Sequence, residues 1–143
     1  SQPGDVLRFT AFLQLWYLRR YAAKLDYELF LHARGAGGRA PEAYRELLSG
    51  ATLVDWPGEL YLADVDPFFY AARYLRAWIF EAQLKELLRE QFDEEWYRND
   101  RAGPFLLQLW RQGQRHTLDE LREQLGLGEP SIEPLLSQIF ADL

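Results

Sequence analysis

After Pro67 the chain runs without a glycine or proline until Gly103. An unbroken stretch of that length exceeds any ordinary strand, and a proline at its start fits the first turn of a helix. Asp66 stands where a helix cap belongs. The spacing predicts one helix from about Pro67 to Gln91 as the central element. Phe68, Ala72, Leu75, Ile79 and Ala82 form one apolar stripe on it, and Tyr70, Tyr74, Ala77, Leu84 and Leu88 lie close to another. A helix apolar on more than one side is usually surrounded by others. Yet Arg73, Arg76 and Glu81 are embedded in it, and charges there must be paired or face a cleft.

The remaining chain also reads as helix. Asp5 to Ala33 carries Leu7, Ala11, Leu15, Leu18, Ala22, Leu25 and Leu29 at helical spacing, and Gly35-Ala36-Gly37-Gly38 ends it. Within it Lys24 and Glu28 are four apart and can pair along the helix, although Glu before Lys would be the better order, while Arg19 and Arg20 lie beside aromatics on which they can stack. Pro41 opens a short helix to about Leu48, stopped by Ser49-Gly50-Ala51. Trp56-Pro57-Gly58 is a turn. Asp93 to Tyr97 is expected as a short helix, Arg101 to Arg111 as another. Thr117-Leu118-Asp119-Glu120 is a capping box that starts a helix ending at Gly126, and Ser131 to Phe140 is the last helix. No two-residue alternation persists, so no sheet is expected. The expected fold is all-α: a single-domain bundle around helix 67–91 with a long N-terminal helix packed along it.

Composition removes several function classes. A net charge of −6 and a pI of about 4.9 argue against a nucleic-acid or anionic-membrane surface. No cysteine is present, so disulfides and thiolate nucleophiles are excluded. No apolar run reaches the roughly 20 residues of a membrane span, and no signal peptide opens the chain, so the expected location is cytoplasmic. A chain without any Met reads as a processed or excised piece of a longer protein. Aromatic residues make up 15% of it, enough that some are expected on a surface covered by a partner.

Few residues carry chemistry by spacing. Tyr70 and Tyr74 are one turn apart; their hydroxyls suit a peptide carbonyl or an oxyanion, although spacing alone favours core aromatics. Asp64 and Asp66 are too few for a metal site, and Asp66 has the capping role. Arg73 and Arg76 suit a substrate carboxylate, but pairing with Asp26 or Glu28 on the first helix is the preferred expectation. His32 ends the first helix and His116 precedes a cap; neither has a ligand or nucleophile partner at motif spacing. Gly35–Gly38 lacks the Lys-Ser/Thr of a phosphate loop and reads as a helix stop.

The tyrosine pair Tyr70-x-x-x-Tyr74 follows an acidic run and precedes a Trp-containing helix. The tail reads Leu109-Trp110-Arg111-Gln112-Gly113-Gln114, then Leu125-Gly126-Leu127 before a last helix. This pattern resembles the C-terminal half of the thimet oligopeptidase / oligoendopeptidase F family of zinc metallopeptidases. The family's His-Glu-x-x-His helix is missing, Ala63-Asp64-Val65-Asp66 replaces its glycine-rich approach and His, and Ala77 stands where a further tyrosine is expected. The resemblance implies a C-terminal domain forming one wall of a peptide channel, with Tyr70, Tyr74 and Arg73 toward substrate and no catalytic residue of its own. Its implied partners are the rest of the parent peptidase and a peptide. Zinc is implied for the complete protein only. The alternative is a non-catalytic interaction module that dimerises through its surplus aromatic surface.

Overall fold

The computed structural model describes residues 3–143, and every regular element among them is helical. The α-helices are α1 (Pro3–Arg34), α2 (Ala40–Thr52), α3 (Tyr70–Phe92), α4 (Ala102–Arg111), α5 (Leu118–Gln124) and α6 (Glu133–Asp142). Short 3-10 turns stand at Gly58–Leu60, Pro67–Phe69 and Trp96–Arg98. The all-α expectation holds, and the long N-terminal helix packs against others. None of these helices is long and apolar enough to cross a membrane. Two compact units divide the chain, one of Ser1–Arg76 with Ile139–Leu143 and one of Ala77–Gln138, so the boundary falls within α3.

The core of the first unit joins α1 to α2. Ala23, Tyr27 and Leu31 of α1 meet Ala40, Tyr44 and Leu48 of α2, with Phe30, Trp56, Tyr61 and Val65 packed around them. The Tyr27 and Tyr44 rings meet edge to face at 5.0 Å, a favourable arrangement for two quadrupoles. Helix α2 runs past the expected stop at Leu48 to Thr52. The Trp16 indole donates to Thr52 O at 3.1 Å and Arg19 Nε to Ala51 O at 2.6 Å, so α1 caps the carbonyls of α2's last turn. These ties override the helix-breaking tendency of Gly50. Gly58 is sterically required: a Cβ there would lie 2.9 Å from Pro41 O.

The second unit buries Leu88, Phe92 and Ala102, with Leu84, Trp96, Phe105 and Leu106 against them. The expected helix at Asp93–Tyr97 is a 3-10 turn at Trp96–Arg98, because Asp93 is left-handed at φ 82° and breaks the path. The Thr117 capping box forms in full, with reciprocal bonds between Thr117 and Glu120. Side-chain amides close the unit: Gln83 donates to Glu129 O and Gln138 to Ala82 O, each at 3.0 Å.

Candidate functional site

Helix α3 does not begin as a capped helix at Pro67. Asp66 makes no side-chain cap. Phe68 (φ 59°, ψ 34°) and Phe69 (φ 52°) occupy the left-handed region, and regular α-helix starts only at Tyr70. Left-handed backbone costs an ordinary L-residue about 1–2 kcal/mol, and two aromatic residues in succession require something to hold them.

Immediately before them in the chain, Asp64 and Asp66 are engaged by a polar network projected from α1. Arg20, Lys24 and Glu28 recur every four residues and so share one face. Arg20 donates through one guanidinium nitrogen to both Asp64 carboxylate oxygens at 2.9 Å. Lys24 Nζ reaches Asp64 at 3.3 Å and Asp66 at 2.8 Å. Glu28 is fully buried and accepts the Asp66 N–H at 3.0 Å. The Tyr44 hydroxyl donates to Asp64 at 3.0 Å, and Tyr27 donates to Tyr61 O at 2.8 Å. Trp56 lies over the Arg20 guanidinium at 4.9 Å, as expected for an arginine beside aromatics. Three expectations therefore change. Asp66 pairs with Lys24 instead of capping α3. Lys24 turns to the aspartates instead of Glu28. Glu28 binds backbone instead of an arginine of α3, because the tight 64–66 turn places a bare N–H and two carboxylates against α1, where unpaired burial is costly.

The environment moves the titrations in one direction. Burial, then the Asp64 carboxylate, pushes the Tyr44 hydroxyl well above the ordinary tyrosine range. Burial, with Tyr61 nearby, pushes Tyr27 up to about 12. Desolvation opposes the charge on Lys24, but its bond to Asp66 and the field and bond of Asp64 outweigh it and raise the pKa.

On the far side of this turn stand the expected substrate-facing residues. Tyr70 and Tyr74 are 42% and 39% exposed, not core, and their rings meet edge to face at 5.2 Å. Tyr74 also meets Tyr21 of α1 at 5.0 Å. The Arg73 guanidinium lies 5.5 Å from the Tyr70 ring centre. The Tyr70 hydroxyl makes no hydrogen bond among the described residues. Phe68, assigned by spacing to a buried stripe, is 85% exposed. The structure thus brings Tyr70, Arg73 and Tyr74 together as an exposed aromatic and cationic surface. It is suited to stacking, to donating hydrogen bonds to carbonyls and to pairing with a carboxylate.

The histidines stay apart from this surface's chemistry. His32 packs on the Phe69 ring at 4.9 Å, and His116 lies 3.3 Å from the Gln124 amide. Among the described residues no three His, Cys, Asp or Glu side chains gather to hold a metal ion, and Asp64 and Asp66 are engaged by cations. The residues present do not fit a zinc site. Sequence reasoning missed the Arg20–Lys24–Glu28 stripe, whose signal was three charges at four-residue spacing on one face of α1.

Fold and site define an all-helical protein whose exposed tyrosine surface is mounted on a strained, ion-buttressed turn. Compared with protein-family models, curated proteins and solved structures, the chain matches none.

Proposed function

We propose that this chain is a non-catalytic peptide-binding wall, and in its most specific form the C-terminal wall of a metallopeptidase resembling the thimet oligopeptidase / oligoendopeptidase F family. The observation that carries the reading is the cluster of Tyr70, Arg73 and Tyr74, half-exposed and adjacent, directly after two left-handed phenylalanines. Strain of that kind persists where surrounding structure over-determines it, and it gathers at ligand-handling segments. Tyrosine surfaces bind extended chains with little loss of rotamer freedom, because each ring has only two torsions to fix. The zinc, the general base and the attacking water belong to the rest of such an enzyme, and no catalytic step is assigned to these residues.

The binding reading is tested by titrating a short unstructured peptide with a free carboxylate into the isotope-labelled protein. Amide and ring signals of Tyr21, Tyr70, Arg73 and Tyr74 are expected to shift, and Tyr70→Ala/Tyr74→Ala to abolish the response. A titration to millimolar peptide that leaves those signals unmoved overturns it. The family assignment is tested by the gene upstream of Ser1. A His-Glu-x-x-His helix with a downstream Glu is expected there; a native start codon close to Ser1 rejects the peptidase.

A further inference from the structure

The amino-terminal half of α1 is apolar where nothing in the first unit covers it. Phe9 is 61% exposed, and Val6, Leu7 and Phe12 are more than half exposed. Asp5, Phe9, Phe12, Trp16 and Arg19 follow alternating steps of four and three residues, the spacing of a helix–helix seam. Along the second half of that seam lies an open, almost wholly apolar groove of about 540 Å³. Its floor is Phe12, Leu15 and Trp16, and its far wall is Leu53 and Val54 at the end of α2. Leu53 is left-handed at φ 59° and 86% exposed, so a bulky apolar side chain is displayed at the lip where glycine would be cheaper. The first half of the seam carries the exposed Phe9. Knob and groove thus sit on opposite sides of Phe12, the arrangement a two-fold axis requires.

We propose that this face is a homodimer interface in which two copies pack α1 against α1 antiparallel, with Phe12 on the axis. Phe9 of each copy then enters the groove of the other, opposite Leu15. The charges select this register. Arg8 and Arg19 make no ion pair among the described residues, and Arg19 spends only its Nε on Ala51 O. Centring on Phe12 sets Asp5 of one copy against Arg19 of the other and Arg8 over the partner's Trp16, an ion pair and a cation–π contact at each end. A shift of one turn opposes Arg8 to Arg19, and parallel packing opposes each arginine to itself. Both are disfavoured by like charge. The seam from residue 5 to 19 is about 21 Å long at 1.5 Å per residue. The interface uses α1, not the first turns of α3, so it stands or falls independently of peptide binding.

The test is the oligomeric state of the intact chain, by light scattering and sedimentation equilibrium. A species of twice the 16.8 kDa chain mass is expected at high concentration. Phe12→Glu, which sets two carboxylates on the axis, is expected to weaken association by roughly a hundredfold. Arg19→Glu is expected to weaken it by about tenfold, and Asp5→Arg combined with Arg19→Glu to recover most of that loss. The chain has no cysteine, so Phe12→Cys is a clean reporter: it should cross-link to its own copy under mild oxidation, and Leu29→Cys should not. Asp5, Phe12 and Leu29 are exposed, so circular dichroism is expected to stay unchanged in the single variants at positions 12 and 29; Arg19→Glu also removes the bond to Ala51 O, so its loss counts only where the charge swap restores association. A monomer at millimolar concentration, a charge swap that restores nothing, or equal cross-linking at positions 12 and 29 overturns the proposal.

Discussion

The two units of this chain solve the same problem with different chemistry. In the first, the segment between α2 and α3 is fixed by side chains reaching across the sequence: Arg20 and Lys24 to Asp64, Lys24 to Asp66, and Glu28 to the Asp66 N–H. In the second, connections are fixed mostly by single side chains on backbone carbonyls and by a local cap: Gln83 on Glu129, Asn99 on Phe92, and Thr117 with Glu120. A neutral amide on a carbonyl brings no charge to desolvate, although the buried Gln83 Oε1 has no hydrogen-bond partner among the described residues. A buried ion network costs much desolvation and collapses badly when one member is removed. The expensive solution stands next to the strained Phe68–Phe69 turn and the tyrosine surface, where a turn needs to be held against its own backbone preference.

That contrast is broken most sharply at Asp64. Asp64→Ala strands Arg20, Lys24 and the Tyr44 hydroxyl together, and is expected to cost about 3–5 kcal/mol. Chemical denaturation measures the total, and hydrogen exchange should place the loss in α2 and the start of α3, leaving α5 unchanged. Alkali attacks the same network. Tyr27, Tyr44 and Lys24 all have folded-state pKa values raised above their unfolded ones. The stability they contribute is therefore fully present below their unfolded values and is lost as pH rises through the folded ones, for Tyr27 between 10.0 and about 12. Denaturation midpoints that stay level from pH 9 to 12 would contradict this.

The next effect is steric. Gly58→Ala drives a Cβ to 2.9 Å from the Pro41 carbonyl, and backbone must move on one side. A loss of about 1–3 kcal/mol is expected, as for overpacking, measured as a lowered denaturation midpoint with unchanged slope. Smaller, and opposite in sign, is Phe68→Gly. It removes an exposed ring and relieves a left-handed residue, so it should stabilise the first unit by about 1 kcal/mol. If the strained turn serves the neighbouring tyrosines, the same variant weakens peptide binding while raising stability.

The comparison also explains what was legible in the sequence. Helix existence, the Gly35 stop and the Thr117 box all follow from residues within a turn of one another, and the structure contains each. The Asp66 cap failed because its competitor, Lys24, lies 42 residues away in sequence, and local rules do not see it. Phe68 was misassigned because a helical stripe drawn through it assumes right-handed backbone, and Phe68 is left-handed. The position of Tyr70 and Tyr74 on one side was legible from spacing; Arg73 joined them only through the family resemblance. Their exposure was not, because aromatic residues at helical spacing read equally well as core.

The smallest effect tests the local side of the comparison. Thr117→Ala removes the hydroxyl that accepts the Glu120 N–H at 3.3 Å and leaves the Glu120 carboxylate with the Thr117 N–H at 2.7 Å and His116 at 4.0 Å. Loss of an N-cap costs about 1 kcal/mol, and here it should appear as faster exchange in α5 alone. The pH sign is opposite to that of the first unit. The bonds from the Thr117 N–H, then its hydroxyl, lower the Glu120 pKa, so its contribution is present above the unfolded value near 4.5 and is lost as pH falls through the folded one. Acid should fray α5 through Glu120, and alkali should act on Tyr27, Tyr44 and Lys24 in the first unit while leaving the Glu120 term intact. If alkali instead perturbs both units equally in hydrogen exchange, then the ion network and the capping box belong to one cooperative structure, and the contrast between an ionic network and a local cap fails as an account of stability.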